Sequence, residues 1–199
     1  MNSESLERII SDYKKDFQRI SSEEVYKWEA IQWFQEHWDI NAEDFSDMLI
    51  NSFAKAENLL TARNYFPKGM LIDFSIYFPE AVRLMFHDLF NESKDVVERV
   101  DTFITKSQDL LDKYGEETWK QHYQTANSIS TYLIFRYPDK YYLYKPQKFK
   151  KMAEKIDYPE RPKRGKTESI RGYFAMCEEI RSYVIQDEEL CRMSQERLG

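Results

Sequence analysis

Ser128-Ile129-Ser130-Thr131-Tyr132-Leu133-Ile134-Phe135-Arg136-Tyr137, then Pro138-Asp139, then Lys140-Tyr141-Tyr142-Leu143-Tyr144-Lys145 is the stretch on which the fold class turns. Both runs are rich in β-branched and aromatic residues, the types that suit a pleated, half-buried surface. Pro-Asp between them is a turn signal, and two such runs around a short turn read as a β-hairpin. In that hairpin Tyr142 and Tyr144 share one face, and Tyr141, Leu143 and Lys145 share the other. The expectation is an α+β chain, predominantly α-helical, with a small antiparallel β-hairpin around residues 128–145.

Outward from this stretch the pattern is helical. Residues 3–20 carry Leu6, Ile9, Ile10, Tyr13, Phe17 and Ile20 at spacings of three and four. Ser21-Ser22-Glu23-Glu24 has the form of a capping box, which predicts a new helix with Val25, Trp28, Ile31 and Gln35 on one stripe. Asn41 is placed to cap the next, whose stripe runs from Phe45 through Leu49 to Ala56. Tyr65-Phe66-Pro67 and Tyr77-Phe78-Pro79 recur twelve residues apart, each with Pro where a helix can begin. They predict short helices over 67–76 and 79–90. Residues 92–114 give the clearest helix, with Val96, Val100, Phe103 and Leu110 on its apolar stripe and Gly115 at its end. Beyond the hairpin, Pro146 starts a basic helix near 147–156, residues 157–167 form a Pro/Gly-punctuated loop, and 168–197 are helical again. The whole of 1–199 reads as a single domain: mostly helical to 127, hairpin and basic segment over 128–167, then the last helices. Trp28, Phe45, Leu49, Phe86, Val100 and Phe103 are the expected core.

Composition excludes several function classes. Only 5 glycines occur in 199 residues, which counts against glycine-turn folds such as Rossmann domains and propellers. Mean hydropathy is -0.73, and no apolar run approaches the ~20 residues that span a bilayer. Met1–Ile20 is charged and periodic and carries no apolar core of a signal peptide, so a cytoplasmic chain away from membranes is expected. Cys177 and Cys191 make no disulfide framework, and His37, His87 and His122 lack the neighbours a metal site needs. No nucleophile motif occurs. Arg164-Gly165-Lys166-Thr167 ends like a phosphate-binding P-loop, but Glu160 stands where the first glycine belongs. No enzyme activity, cofactor or metal is expected.

Charge, however, is uneven. Residues 1–135 hold 14 basic and 24 acidic side chains, residues 136–172 hold 12 and 5, and residues 173–199 hold 3 and 6. Seven aromatics also fall from Tyr132 to Phe149, running into the central block and interleaved with its lysines. Aromatic faces stack on bases, and Lys and Arg contact phosphates. This points to DNA as partner, with Arg136, Tyr137, Lys140, Tyr142, Tyr144 and Lys145 as contacts from the hairpin. Lys148, Lys150, Lys151, Lys163, Arg164 and Lys166 are the contacts from the segment that follows. The other reading is a protein-interaction or assembly module, supported by the acidic 1–135 region.

Tyr26-Lys27-Trp28-Glu29-Ala30, Trp38-Asp39-Ile40-Asn41-Ala42-Glu43-Asp44-Phe45, Asn58-Leu59-Leu60, Tyr65-Phe66-Pro67-Lys68-Gly69-Met70 and Arg136–Lys145 resemble the N-terminal region of McrB-like AAA+ proteins. These are the nucleotide-hydrolysing subunits of modification-dependent restriction systems. The resemblance covers about 1–195 and rests on aromatics, prolines and turns. It implies a non-catalytic DNA-recognition module, one that reads a plain or modified base. It implies as well that the P-loop motor lies downstream of this piece and drives a partner nuclease in phage defence.

Overall fold

Residues 126–136 are a helix, not a strand. The computed structural model describes residues 1–198, with every side chain except those of Tyr114, Arg197 and Leu198. Among the described residues eleven helices follow one another: α1 (Ser3–Lys15), α2 (Phe17–His37), α3 (Phe45–Ser52), α4 (Glu57–Leu60), α5 (Pro67–Tyr77), α6 (Pro79–Leu89), α7 (Val96–Tyr114), α8 (Ala126–Arg136), α9 (Pro146–Lys155), α10 (Ser169–Val184) and α11 (Glu188–Leu198). Among the described residues the only β pairing is an isolated bridge between Ala62 and Tyr65. The chain is therefore all-α, and the α+β expectation with a hairpin at 128–145 is corrected.

The physical reason lies in α8 itself. Thr125 and Ser128 form a reciprocal capping box, which starts the helix. The hydroxyls of Ser128, Ser130 and Thr131 then donate to carbonyls three or four residues back: Thr125 O at 3.0 Å, Asn127 O at 2.7 Å and Asn127 O at 3.3 Å. An extended strand places those carbonyls out of reach, so the back-bonding favours the helix. Ser128–Leu133 and Phe135 are all buried, so the helix is covered on nearly every side. A helix buried all round shows no 3.6-residue alternation, and a short apolar run of that kind cannot be told from a strand by periodicity. Pro138-Asp139 does make a turn, but residues 141–145 beyond it are irregular, not a strand.

Starts and stops elsewhere differ in detail. α1 ends at Asp16, whose N–H reaches Tyr13 and Lys14 carbonyls, and α2 begins at once at Phe17. Ser21 thus sits inside α2, buried, and no helix begins at the expected capping box. α3 is capped by Asp44, whose carboxylate accepts the Asp47 N–H at 2.9 Å, rather than by Asn41. The two Tyr-Phe-Pro helices begin at Pro67 and Pro79, as expected from Pro at the first helical position. Gly115 ends α7 with an ordinary φ of -60°, and a Cβ there would lie 2.3 Å from the Leu111 carbonyl oxygen. Close approach, not a left-handed backbone, demands that glycine.

The chain divides into two compact units: Met1–Val25 with Tyr144–Gly199, and Tyr26–Leu143. The second unit is built on interlocked rings. Phe86 lies 5.4 Å from Phe103, 5.7 Å from Tyr132 and 4.9 Å from Trp38. Phe34, Phe53 and Phe135 close the cluster, all fully buried. Of the expected core, Phe45, Leu49, Phe86, Val100 and Phe103 are buried, while Trp28 is 43% exposed. Here α2 buries Ala30, Ile31 and Phe34, a register that turns Trp28 outward.

The first unit buries Leu6, Ile10 and Phe17, and likewise Phe149, Ala153, Ile156, Ile170 and Met176. Its two chain segments are tied together: Asn2 N–H donates to Ile156 O at 2.6 Å, and Lys14 donates to Asp187 and Glu189, each at 2.8 Å. No helix among the described residues is long and apolar enough to cross a membrane.

Candidate nucleic-acid interface

The basic segment of the first unit is shaped by α9. Pro146 occupies its first position, and Phe149 and Ala153, one turn apart, are buried. Phe149 packs edge-to-face on Tyr173 of α10 at 5.5 Å, and Ile156 follows on the same buried side. With that face held down, Lys148, Lys151 and Lys155 fall on one strip at i, i+3 and i+7, all exposed. None of the three has an acidic partner among the described residues. Lys150 stands beside Glu154 at 4.0 Å. Lys145, just before the helix, is exposed as well.

The loop after α9 adds four more cations. Tyr158 is buried and its N–H returns to Ala153 O at 2.9 Å, which anchors the loop to the helix end. Arg161 turns back on its own backbone, donating to the Tyr158 and Glu160 carbonyls. Lys163 N–H donates to Ser169 Oγ at 2.9 Å, and Lys166 N–H to Lys163 O at 3.2 Å. This closes a turn over Lys163-Arg164-Gly165-Lys166. Gly165 holds φ at +66°, the left-handed conformation that the third position of such turns favours glycine for. Lys163, Arg164 and Lys166 are exposed. The stretch before the turn is irregular and α10 begins three residues after Lys166, so no strand–loop–helix phosphate cradle is built here. Calorimetry with ATP or GTP is therefore expected to show no binding at Lys166; a micromolar site there would overturn this.

The aromatic partners expected for this surface are mostly occupied. Tyr144 is buried, 5.3 Å from the Tyr173 ring, and burial raises its hydroxyl pKa above the usual value. Arg136, Tyr137, Lys140 and Tyr142 belong to the second unit, and Tyr144 with the other seven residues to the first. Tyr137 is half-buried, donating to Phe90 O at 2.9 Å, and Arg136 is exposed with its guanidinium 5.4 Å from the Tyr137 ring. Lys140 is ion-paired with Glu92. Tyr142 is half-buried.

Two features escaped the residue pattern. Lys155 completes the α9 strip, and the register set by Phe149 and Ala153 would have found it. The other is a buried network in the second unit. Arg99, 3% exposed, donates to Leu89 O at 2.7 Å, to Glu92 at 3.0 Å and to the Tyr141 hydroxyl at 2.6 Å. Tyr141 in turn donates to Glu92, and burial, then Glu92, pushes its pKa up to about 12. The signal was a charged residue one position before Val100 on the stripe of α7.

Among the described residues no cluster of three His, Cys, Asp or Glu could hold a metal. Burial pushes the Cys177 thiol up to about 12, far from a reactive thiolate. No protein-family model, no curated protein and no solved structure matches this chain.

Proposed function

We propose that the chain is a non-catalytic nucleic-acid-binding module whose first unit grips the phosphate backbone. The observation that carries this is the α9 strip Lys148, Lys151 and Lys155, exposed and without acidic partners, followed by the exposed Lys163-Arg164-Gly165-Lys166 turn. Residues 145–171 hold 10 basic and 4 acidic side chains, a local field suited to a polyanion although the chain carries a net -6. Because Tyr144 is packed inside, binding is led by phosphate contacts and tolerates sequence. The resemblance to McrB-like proteins implies the setting: a cytoplasmic restriction system in which such a module delivers DNA to a motor and its nuclease.

The test is salt-dependent binding to duplex DNA. Each phosphate contact contributes roughly -0.9 to the slope of log affinity against log salt, so replacing Lys148, Lys151 and Lys155 with Ala flattens that slope by up to about 2.7. Exposed lysines contribute within about 0.5 kcal/mol to stability, so the variant stays folded. An unchanged affinity and slope would overturn the proposal.

A second reading rests on the second unit. Ile76, Tyr77 and Leu84 are 54%, 56% and 58% exposed on α5 and α6, in a unit with 12 basic and 19 acidic side chains. Exposed apolar side chains of this size suit a protein partner. This reading takes over if the unaltered chain binds no duplex, plain or modified, at ~50 mM salt.

A further inference from the structure

The second unit holds a small hollow between the start of α5 and the segment 118–123, about 250 Å³ in volume. Three rings line it: Phe66, Trp119 and Tyr123. Phe66 and Tyr123 stand perpendicular, at 90°, with centroids 5.7 Å apart, so their faces point in different directions around the space. Trp119 is held edge-on by Phe74 at 5.6 Å and by Tyr77 at 5.6 Å. Phe66 is 41% exposed, which is unusual for a ring whose neighbours are so well packed.

The fourth wall is a carboxylate. Asp73, two turns into α5, lines the hollow and makes no hydrogen bond or ion pair among the described residues. Burial, and then the neighbouring Glu116 carboxylate, raise its pKa. A carboxylate held beside another negative charge is relieved by a cation. Lys120 also lines the space, its ammonium drawn to the Glu117 carbonyl at 2.7 Å. Gly69 completes the lining, and a Cβ there would meet nothing nearer than Phe66 Cβ at 4.0 Å. The wall is thus open where any other residue would fill it.

We infer that this hollow is an aromatic cage for a methylated ammonium group, held by the faces of Phe66, Trp119 and Tyr123 with Asp73 as counter-charge. Ring faces carry negative quadrupole charge and attract a cation within about 6 Å of the centroid. A methylated ammonium is the cation that fits, because it sheds water easily and packs methyl groups against rings. The volume lies below the roughly 300–1,000 Å³ of drug-sized pockets, so it takes a compact headgroup rather than an extended ligand. Phosphate is the wrong charge for a wall that contains Asp73, which separates this site from the basic strip of the first unit.

The test uses the full chain and two probes of one shape: choline, and its neutral isostere 3,3-dimethylbutan-1-ol. Titration is followed by the Trp119 indole N–H resonance. Choline shifts it, and the isostere binds roughly tenfold more weakly, since the ring faces and Asp73 act on the charge. Asp73→Asn weakens choline at least about fivefold. Gly69→Leu fills the hollow and abolishes binding while the thermal midpoint is kept, because helical Gly costs about 1 kcal/mol against ordinary residues. Equal binding of the two probes would show a merely apolar hollow and overturn the inference. So would a silent Trp119 resonance, or choline binding that Gly69→Leu leaves intact. Trimethyl-lysine as the free amino acid and within a peptide then separates a small-molecule source from a protein one; tighter binding of the peptide assigns the cage to a methylated protein.

Discussion

Phe86→Ala is expected to destabilise the second unit by about 3–5 kcal/mol. Phe86 is fully buried and touches more of the ring cluster than any neighbour described above. Its ring meets Trp38 at 4.9 Å, Phe90 and Phe103 at 5.4 Å, Tyr132 at 5.7 Å and Phe53 at 6.4 Å. Trp38, Phe53 and Phe90 stand just beyond the ends of α2, α3 and α6, and Phe103 and Tyr132 lie in α7 and α8, so no one helix can slide in to close the cavity. The cost then includes the unfilled volume as well as the lost transfer energy. All four tryptophans, Trp28, Trp33, Trp38 and Trp119, lie in this unit, so indole fluorescence reports its unfolding alone. With a urea slope near 2 kcal/mol per molar, the midpoint should fall by roughly 2 M. A fall below about 0.5 M would mean that the cluster collapses onto the gap.

The helices that could be read from the residues were those with a punctuating signal or one apolar face. α5 and α6 start where Pro follows an aromatic pair, and α9 begins at Pro146 within one residue of expectation. α7 shows a single apolar face to the core, and its stripe is legible for that reason. α8 has no polar face to alternate with. Its serines and threonine look like strand residues until their hydroxyls are seen bonding backward along the helix. The capping signal at Ser21 was equally genuine chemistry in the wrong place: Asp16 lets the chain turn a few residues earlier, and Ser21 is carried into the helix.

The candidate interface divides along similar lines. Charge accumulates in the sequence itself, so the cations of 145–166 could be named without coordinates. Which tyrosines remain available could not, because alternation along a strand was the only guide and no strand exists. On the helix and loop that do exist, Tyr141 and Tyr144 are both buried although the hairpin put them on opposite faces. Lys140 is neutralised by Glu92, 48 residues away in sequence, a pairing no local pattern carries. The division of the basic block between two units is likewise a matter of long-range packing.

Glu92→Gln should cost the second unit about 3–5 kcal/mol, because it leaves a buried guanidinium without its counter-charge. Arg99 is 3% exposed and Glu92 29%, so the cation is the group that cannot retreat into water. The amide can still accept one hydrogen bond, but it cannot balance the charge or serve Arg99, Lys140 and Tyr141 together. Arg99→Met in the same chain should recover much of the loss, since a buried ion pair replaced by apolar volume is often neutral in stability. The pH dependence separates this from simple packing. Burial pushes the Glu92 carboxyl up, but bonds from Lys140 and Tyr141 and the charge of Arg99 outweigh it, so its pKa lies below the ordinary 4.5. A depressed carboxyl contributes stability above its unfolded pKa and loses it as pH falls through the folded one. The gap between the unaltered chain and Glu92→Gln should therefore be full at about pH 6 and narrow towards about pH 3. Urea midpoints by indole fluorescence at both values decide it. A gap of equal size at the two would place the cost in lost packing, and the counter-charge account of Arg99 would fail.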